Sequence, residues 1–155
     1  MITQGEKKMP KLPPPAEGNP VLPSGTYRVR LTSHEYVKAS TGTPQIRWKA
    51  EVIDPDEHTG RTFVDHTALT EKAIWRVSNL IGATGLKFTP GIDTDSVYFK
   101  DLCHAAIGRT TMWVNAVEKD QKGNDRNNIK MYASDKDQEE EEFVQQDEAK
   151  PVWAD

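Results

Sequence analysis

The chain has 155 residues and a formal net charge of −4, which is enough for one domain with flanking segments. Its single cysteine, Cys103, excludes an internal disulfide and is typical of a reducing compartment. No apolar stretch approaches the roughly 18 to 20 residues of a membrane span, and the first residues lack the apolar segment of a secretory signal. We therefore expect a cytoplasmic protein that does not bind membranes.

Charge divides the chain into three parts. Residues 1–23 carry six prolines and few apolar side chains, which predicts a flexible, extended arm. Residues 21–134 hold fifteen Lys/Arg and thirteen Asp/Glu, whereas residues 135–155 hold nine acidic side chains and two lysines. We expect a mildly basic domain over residues 24–134 and an acidic tail over residues 135–155. Such a tail can compete with a polyanion for the surface of the domain.

Alternation of apolar and polar residues predicts three strands in the first half of the domain, over residues 27–38, 45–52 and 61–69. Apolar residues at helical spacing then predict a helix over residues 70–81 and a second over residues 96–107. Two further strands are predicted over residues 109–118 and 126–133. The apolar alternates of the strands, among them Tyr27 and Trp48, are expected in the core.

Three strands, a helical insertion and two more strands are the element order of an OB-fold. The predicted fold is therefore mainly β: a five-stranded Greek-key barrel with a helical insertion between strands three and four, flanked by disordered tails. A simple meander packed on helices gives the same order of elements.

Cationic and aromatic residues alternate with the apolar ones and are expected on the outside of the barrel. On strands one and two the outward residues are Arg28, Arg30, Arg47 and Lys49, and continued alternation past Leu31 adds Tyr36 and Lys38. On the last two strands the predicted outward residues are Trp113, Lys130 and Tyr132, while Met112, Val114, Ile129 and Met131 are expected inside. The loop between these strands adds Lys119, Lys122 and Arg126.

This mixture of side chains is what single-stranded nucleic acid requires. Cations follow the phosphates, and flat rings stack on exposed bases. We therefore predict that these twelve residues bind a single strand of nucleic acid. A solvated sheet face whose cations guard against aggregation would show the same pattern.

With these residues placed, the chain resembles the small single-stranded DNA-binding proteins of bacteriophages. The resemblance rests on the predicted body from Gly25 to Ala133, on the segments Gly25–Val29 and Asn127–Ile129, and on the acidic tail with Phe143 and Trp153. It implies coating of single strands during replication, recombination or repair in the host cytoplasm. It also implies a tail that restrains DNA binding and recruits replication or recombination proteins through Phe143 and Trp153, although Ala154 and Asp155 follow the tryptophan.

Two other classes of function stay open. A protein-interaction module, such as a phage-encoded inhibitor or assembly factor, could use the same sheet. A metal-dependent nuclease could be built around Asp54, Asp56 and Asp65. The chain contains no glycine-rich phosphate loop, nucleophile elbow or HExxH motif, so we expect no enzymatic activity, no metal site and no cofactor.

Overall fold

The computed structural model describes residues 21–143, which form a five-stranded antiparallel sheet, two helices and a small second sheet. In chain order the elements are β1 (Gly25–Lys38), β2 (Pro44–Asp54), β3 (Thr62–Ala68), α1 (Ile74–Ala83), β4 (Leu86–Lys87), α2 (Val97–Ala106), β5 (Thr110–Lys119), β6 (Asp125–Ala133) and β7 (Glu141–Glu142). The mainly β class, the five long strands and the helical insertion after the third strand are confirmed.

The large sheet has the strand order β3-β2-β1-β5-β6, and every neighbouring pair is antiparallel. Within residues 21–143, the edge strands β3 and β6 share no ladder of backbone hydrogen bonds. The expectation of a closed barrel is therefore wrong. Helix α1 contacts both edge strands, so it lies over the gap that a closing ladder would have to bridge.

Side chains join the two edge strands instead. Arg76 of α1 donates hydrogen bonds from Nη2 to Asp65 Oδ2 of β3, at 2.9 Å, and to the Tyr132 hydroxyl of β6, at 2.6 Å. The Tyr132 hydroxyl in turn donates to Asp65. Burial, together with the charge of Asp65, raises the pKa of Tyr132, so the phenol keeps its proton and stays a donor. We refer to these three residues as the seam cluster.

The inner face of the sheet carries the core. Alternation places Tyr27, Val29 and Leu31 of β1 on this face, and the apolar sides of both helices pack against it. The sheet is strongly curled, because the rings of Phe63 and Trp113 are 6.1 Å apart although β2 and β1 separate their strands. Tyr27 and Trp48 are buried, as the sequence predicts.

The chain does not leave the body after β6. β7 pairs in parallel with β4, and the backbone N–H of Phe143 donates to the carbonyl of Lys87 at 2.8 Å. Phe143 itself packs against the core. The expectation of a free tail beginning at Asp135 is therefore wrong for residues 135–143, and the rest of the predicted tail lies outside the described residues.

The folded body also begins earlier in the sequence than predicted, within the segment expected to be a flexible arm. Leu22 is buried, and its N–H donates to Asn127 Oδ1 at 3.1 Å. The segment up to Pro20, with five of the six prolines, lies outside the described residues. Neither helix in residues 21–143 is long and apolar enough to cross a membrane.

Candidate nucleic-acid interface

Four cations of β1 and β2 lie together on the outer face of the large sheet, opposite the core. Arg28 and Arg30 alternate with the buried residues of β1, and Arg47 and Lys49 flank the buried Trp48 of β2. Neither helix packs on this side, because the apolar residues of both helices belong to the core on the inner face. The structure thus brings the four predicted cations to one surface, and their binding role stays a prediction.

Carboxylates already engage two of these cations. Arg28 Nε lies 2.7 Å from Asp135 Oδ2, and its Nη1 lies 3.7 Å from Asp54. Arg47 Nη1 lies 3.3 Å from Glu35 Oε1 in an exposed pair. An exposed ion pair of this kind contributes only about 0 to 1 kcal/mol, so a phosphate can displace Glu35 at little cost.

Arg30 and Lys49 are different. Neither has a carboxylate oxygen within 4.0 Å anywhere in residues 21–143, although Glu51 is the cross-strand neighbour of Arg30. Cross-strand pairing across β1 and β2 keeps both cations near the middle of the outer face. They are the two charges of the set that are available to an anion without breaking an ion pair.

Tyr36 and Lys38 lie on the other face of β1, contrary to the prediction. The register of β1 with β2 shifts between Leu31 and Ser33, which leaves Thr32 as the extra residue of a β-bulge. After the bulge, Glu35 pairs with Arg47 on the outer face, and Tyr36 pairs with the buried Ile46. The extra residue reverses the alternation, so the exposed Tyr36 ring is not on the surface of the four cations.

Trp113 and Tyr132 are not exposed aromatic platforms, so the prediction that both side chains point outward is wrong, and Trp113 has no exposed ring face with which to stack on a base. Trp113 is fully buried against Phe63 and Tyr132, and its neighbours Met112 and Val114 face the outer side at intermediate exposure. The large indole buries more apolar area than either neighbour, which favours this phase of β5.

A bulge in β6 explains the direction of Tyr132. The register of β5 with β6 shifts between Val114 and Asn115, because Lys130 has no partner between Ile129 and Met131. Ile129 is inside, as predicted, but Met131 is 53% exposed and Tyr132 turns into the seam cluster. Lys130 is exposed as predicted, and its Nζ lies 2.5 Å from Glu118 Oε2.

The loop between β5 and β6 keeps part of its predicted positive charge. Lys119 Nζ lies 2.6 Å from Asp125 Oδ1, so one of the three cations is paired. Lys122 and Arg126 are exposed and have no ion pair within the described residues. Asp120 Oδ1 accepts the backbone N–H groups of Lys122 and Asn124, both at 2.9 Å, which orders the turn that carries Lys122, whereas Arg126 is the second residue of β6.

Cations other than Arg30 and Lys49 hold two of the acidic residues just before Phe143. Arg109 donates to Glu141 Oε1 at 2.8 Å and to the Glu139 carbonyl, and Lys87 Nζ lies 2.9 Å from Glu140. Gly85 permits this close approach: its φ is +88°, and a Cβ there would meet the Glu139 carbonyl oxygen at 2.9 Å. Phe143 is partly buried here, and Trp153 lies outside the described residues.

The residues considered for metal or redox chemistry do not come together. In residues 21–143, no group of three His, Cys, Asp or Glu side chains is arranged to hold a metal ion. Asp54 is paired with Arg28, and Asp65 belongs to the seam cluster. Burial raises the pKa of the Cys103 thiol to about 12, so this cysteine stays protonated at neutral pH.

Sequence reasoning missed two features, one on this outer face and one on the inner side of the β1–β2 hairpin. It did not anticipate that Asp135, the first acidic residue after β6, forms an ion pair with Arg28. It also missed a groove beside α2, which Tyr36 borders. The only sequence signal for the first feature is the polar run after the last strand, and the second depends on a bulge that alternation does not reveal.

Comparison with other proteins adds a family and no activity. No curated protein matches this chain in sequence. A family model described as "Protein of unknown function (DUF669)" matches residues 15–151. The match begins within the proline-rich arm and extends past the last described residue, so it covers the sheet, both helices and the docked acidic segment. The chain therefore belongs to the DUF669 family.

Proposed function

We propose that this protein binds single-stranded DNA with little sequence preference, through the outer face of its large sheet. The observation that carries the proposal is the position of Arg28, Arg30, Arg47 and Lys49 on one face that neither helix covers, with Arg30 and Lys49 free of carboxylate partners within residues 21–143. Cations spaced along neighbouring strands can follow the phosphates of an extended strand.

The topology supports the same proposal. Counting only the five long strands, the order 3-2-1-4-5 is that of an OB-fold opened between its third and fifth strands. OB-folds are commonly partly open, and they bind oligonucleotides across strands two and three and through the loops after strands one and four. In this chain the second of those loops carries the exposed Lys122, and the exposed Arg126 follows at the start of β6. We infer an open OB-type body in which the seam cluster replaces the closing ladder.

Binding of this kind is electrostatic and non-catalytic. Each phosphate contact to a single strand contributes about −0.7 to the slope of log affinity against log salt. Arg30 and Lys49 with one or two of the displaceable cations give three to four contacts, and a slope of about −2 to −3. No exposed Phe, Tyr or Trp side chain lies on the outer face in residues 21–143, so phosphate contacts are its main contribution.

The biological setting follows from the same proposal. A protein that coats single strands would act in replication, recombination or repair, in the cytoplasm of the cell that holds the DNA. The acidic segment restrains binding through Asp135, which neutralises Arg28. Phe143 is packed against the core, so recruitment of replication or recombination proteins would depend on residues beyond it, including Trp153.

The test is a titration of the full chain with an oligo-dT strand at several salt concentrations. Replacing Lys49 by Gln removes one free cation, and we expect a loss of affinity with a slope that is shallower by about 0.7. The matched control is Lys72→Gln, which removes one exposed cation that lies outside the outer face. Equal effects of the two substitutions, or no salt-dependent binding by the unaltered chain, would refute the proposal.

A protein-interaction module is the second candidate, and one observation favours it. Met131 and Val64 are 53% and 43% exposed on the same outer face, and Met112 and Val114 lie there at intermediate exposure. Exposed apolar side chains of this kind mark protein contacts more often than phosphate contacts. Binding to a protein that survives Lys49→Gln but not Met131→Ser, in the absence of any binding to oligo-dT, would establish this function instead.

A further inference from the structure

An open groove lies on the inner side of the β1–β2 hairpin, between the end of β1, the start of β2 and α2. It encloses about 730 Å³. We call it the hairpin groove and define it by His34, Tyr36, Ile46, Leu69, Phe99 and Lys100. The volume lies within the range of small-molecule sites, which is roughly 300 to 1,000 Å³.

The groove exists because β1 changes partners along its length. β1 pairs with β5 only from Gly25 to Arg30, and the bulge at Thr32 follows immediately. Beyond the bulge, β1 has β2 on one side, and α2 lies on the other. The same bulge turns His34 and Tyr36 towards the inner side. β1, which no longer has β5 as a neighbour there, therefore directs the Tyr36 ring into the space beside it.

The walls of the groove differ in chemistry. Its floor is apolar, because Ile46, Phe99 and Cys103 are buried core residues. Tyr36 is 58% exposed and has no aromatic neighbour in the described residues, so its ring face is free to stack. Lys100 is an exposed cation at the rim, without an ion pair in residues 21–143.

His34 adds an uncharged polar group. Its ring is 6.0 Å from the rings of both Trp48 and His104. Burial lowers the pKa of His34, and the nearby His104 and Lys100 lower it further, so the imidazole is neutral at pH 7. A neutral imidazole has one donor and one acceptor, which suits the edge of a base better than a phosphate.

We propose that the hairpin groove receives an unpaired base of the bound strand, stacked on Tyr36, while the neighbouring phosphates remain on the outer face. This inference rests on the proposed function. The strand would pass around the β1–β2 hairpin, where Glu35 and Arg47 on the outer side and Tyr36 on the inner side are adjacent positions. The groove would thereby supply an exposed tyrosine ring, which the outer face lacks within residues 21–143.

Phosphate contacts and base stacking can be distinguished experimentally, because the affinity from phosphate contacts depends on salt concentration and the affinity from stacking on a ring does not. Base–aromatic stacking contributes on the order of a ten-fold effect on affinity for each base. For Tyr36→Ala we expect a loss of about that size with oligo-dT and an unchanged salt slope. Tyr36→Phe keeps the ring and should bind like the unaltered chain.

The matched control is Trp75→Ala. Trp75 is 57% exposed, which is nearly the exposure of Tyr36, but it lies on α1 outside the hairpin groove. An abasic strand of equal length provides a second control, because it keeps the phosphates and has no base to stack. Unaltered chain and Tyr36→Ala should bind this abasic strand equally.

The outcomes distinguish this inference from the proposed function. If Tyr36→Ala binds oligo-dT as tightly as Trp75→Ala does, while Lys49→Gln still makes the salt slope shallower, the base lies elsewhere and only the groove assignment fails. If the unaltered chain binds neither strand, both proposals fail. A groove that takes a peptide instead would show loss of protein binding in Tyr36→Ala without any binding of oligo-dT, which also overturns the base assignment.

Discussion

Asp135 connects the acidic segment, residues 135–143, to the outer face of the large sheet. Its carboxylate is almost completely buried, and it accepts hydrogen bonds from Arg28 Nε at 2.7 Å and from the Thr110 hydroxyl at 2.6 Å. Burial alone would raise the pKa of Asp135, but the bonds from Thr110 and Arg28 outweigh it and lower the pKa below its usual value. The side chain therefore stabilises the fold as an ion.

Replacing Asp135 by Asn should reveal that contribution. The amide keeps the size of the side chain but loses the charge, and hydrogen bonds to charged groups contribute about 1.5 to 3 kcal/mol. A group whose pKa is lower in the folded state stabilises the fold above its unfolded pKa and loses this effect as pH falls through the folded value. We expect Asp135→Asn to reduce the free energy of unfolding by about 2 kcal/mol at pH 7. The difference from the unaltered chain should shrink below about pH 4.

Urea unfolding across a pH series measures this difference. The control is Asp137→Asn, which makes the same change of charge two residues later at an exposed position. A similar loss of stability in both variants, or a difference at Asp135 that does not change with pH, would show that the buried ion pair is not the cause.

At the scale of elements, alternation predicted the core of β1 correctly before the bulge at Thr32, failed beyond the bulges at Thr32 and Lys130, and gave the wrong phase for Met112, Trp113 and Val114 of β5. Val29 lies before the bulge at Thr32, and both Val29 and Trp48 of β2 are buried, as the sequence indicates. Tyr36 follows the bulge at Thr32, and Tyr132 follows the one at Lys130, and both face the side opposite to the prediction. A bulge is set by the pairing of two strands and leaves no distinct pattern in either sequence, so the phase of β1 beyond Leu31 could not be derived from local alternation.

The small sheet of β4 and β7 rests on the backbone of Gly85. A side chain at this position would be strained by a φ of +88° and would meet the Glu139 carbonyl at 2.9 Å. Gly85→Ala should therefore displace residues 139–143, and we expect faster amide hydrogen exchange at Glu141 and Phe143, whose N–H groups donate to Gly85 and Lys87.

Gly42→Ala separates the two causes of that effect. Gly42 has a φ of +90° but open space around its Cβ position, so alanine there meets the backbone strain without the clash. Such strain costs about 1 kcal/mol or more in either variant. If exchange at Glu141 and Phe143 rises equally in the two variants, or in neither, the close contact with Glu139 does not hold the segment in place.

For the whole molecule, the distribution of charge differs from what the sequence suggests. The tail was expected to place nine acidic side chains near the basic surface. In the structure Asp135 pairs with Arg28, whereas Glu140 and Glu141 pair with Lys87 and Arg109. Residues 144–155 hold three acidic side chains and one lysine. This net negative charge is small for competition with DNA at the outer face.

Two truncations should therefore behave differently. Ending the chain after Phe143 removes none of the described packing, so stability should stay within about 0.5 kcal/mol. If residues 144–155 restrain DNA binding, oligo-dT should bind a few-fold more tightly at low salt, and the gain should vanish at high salt because surface charges are screened over roughly 10 Å or less. Ending it after Ser134 removes the buried Asp135 carboxylate and the Phe143 contact, and should lower the free energy of unfolding by at least about 2 kcal/mol. Thermal unfolding and oligo-dT titration of both truncated chains test these two expectations. Equal stability would mean that residues 135–143 contribute nothing to the fold. Tighter binding only in the shorter chain would assign the restraint on DNA binding to Asp135–Phe143.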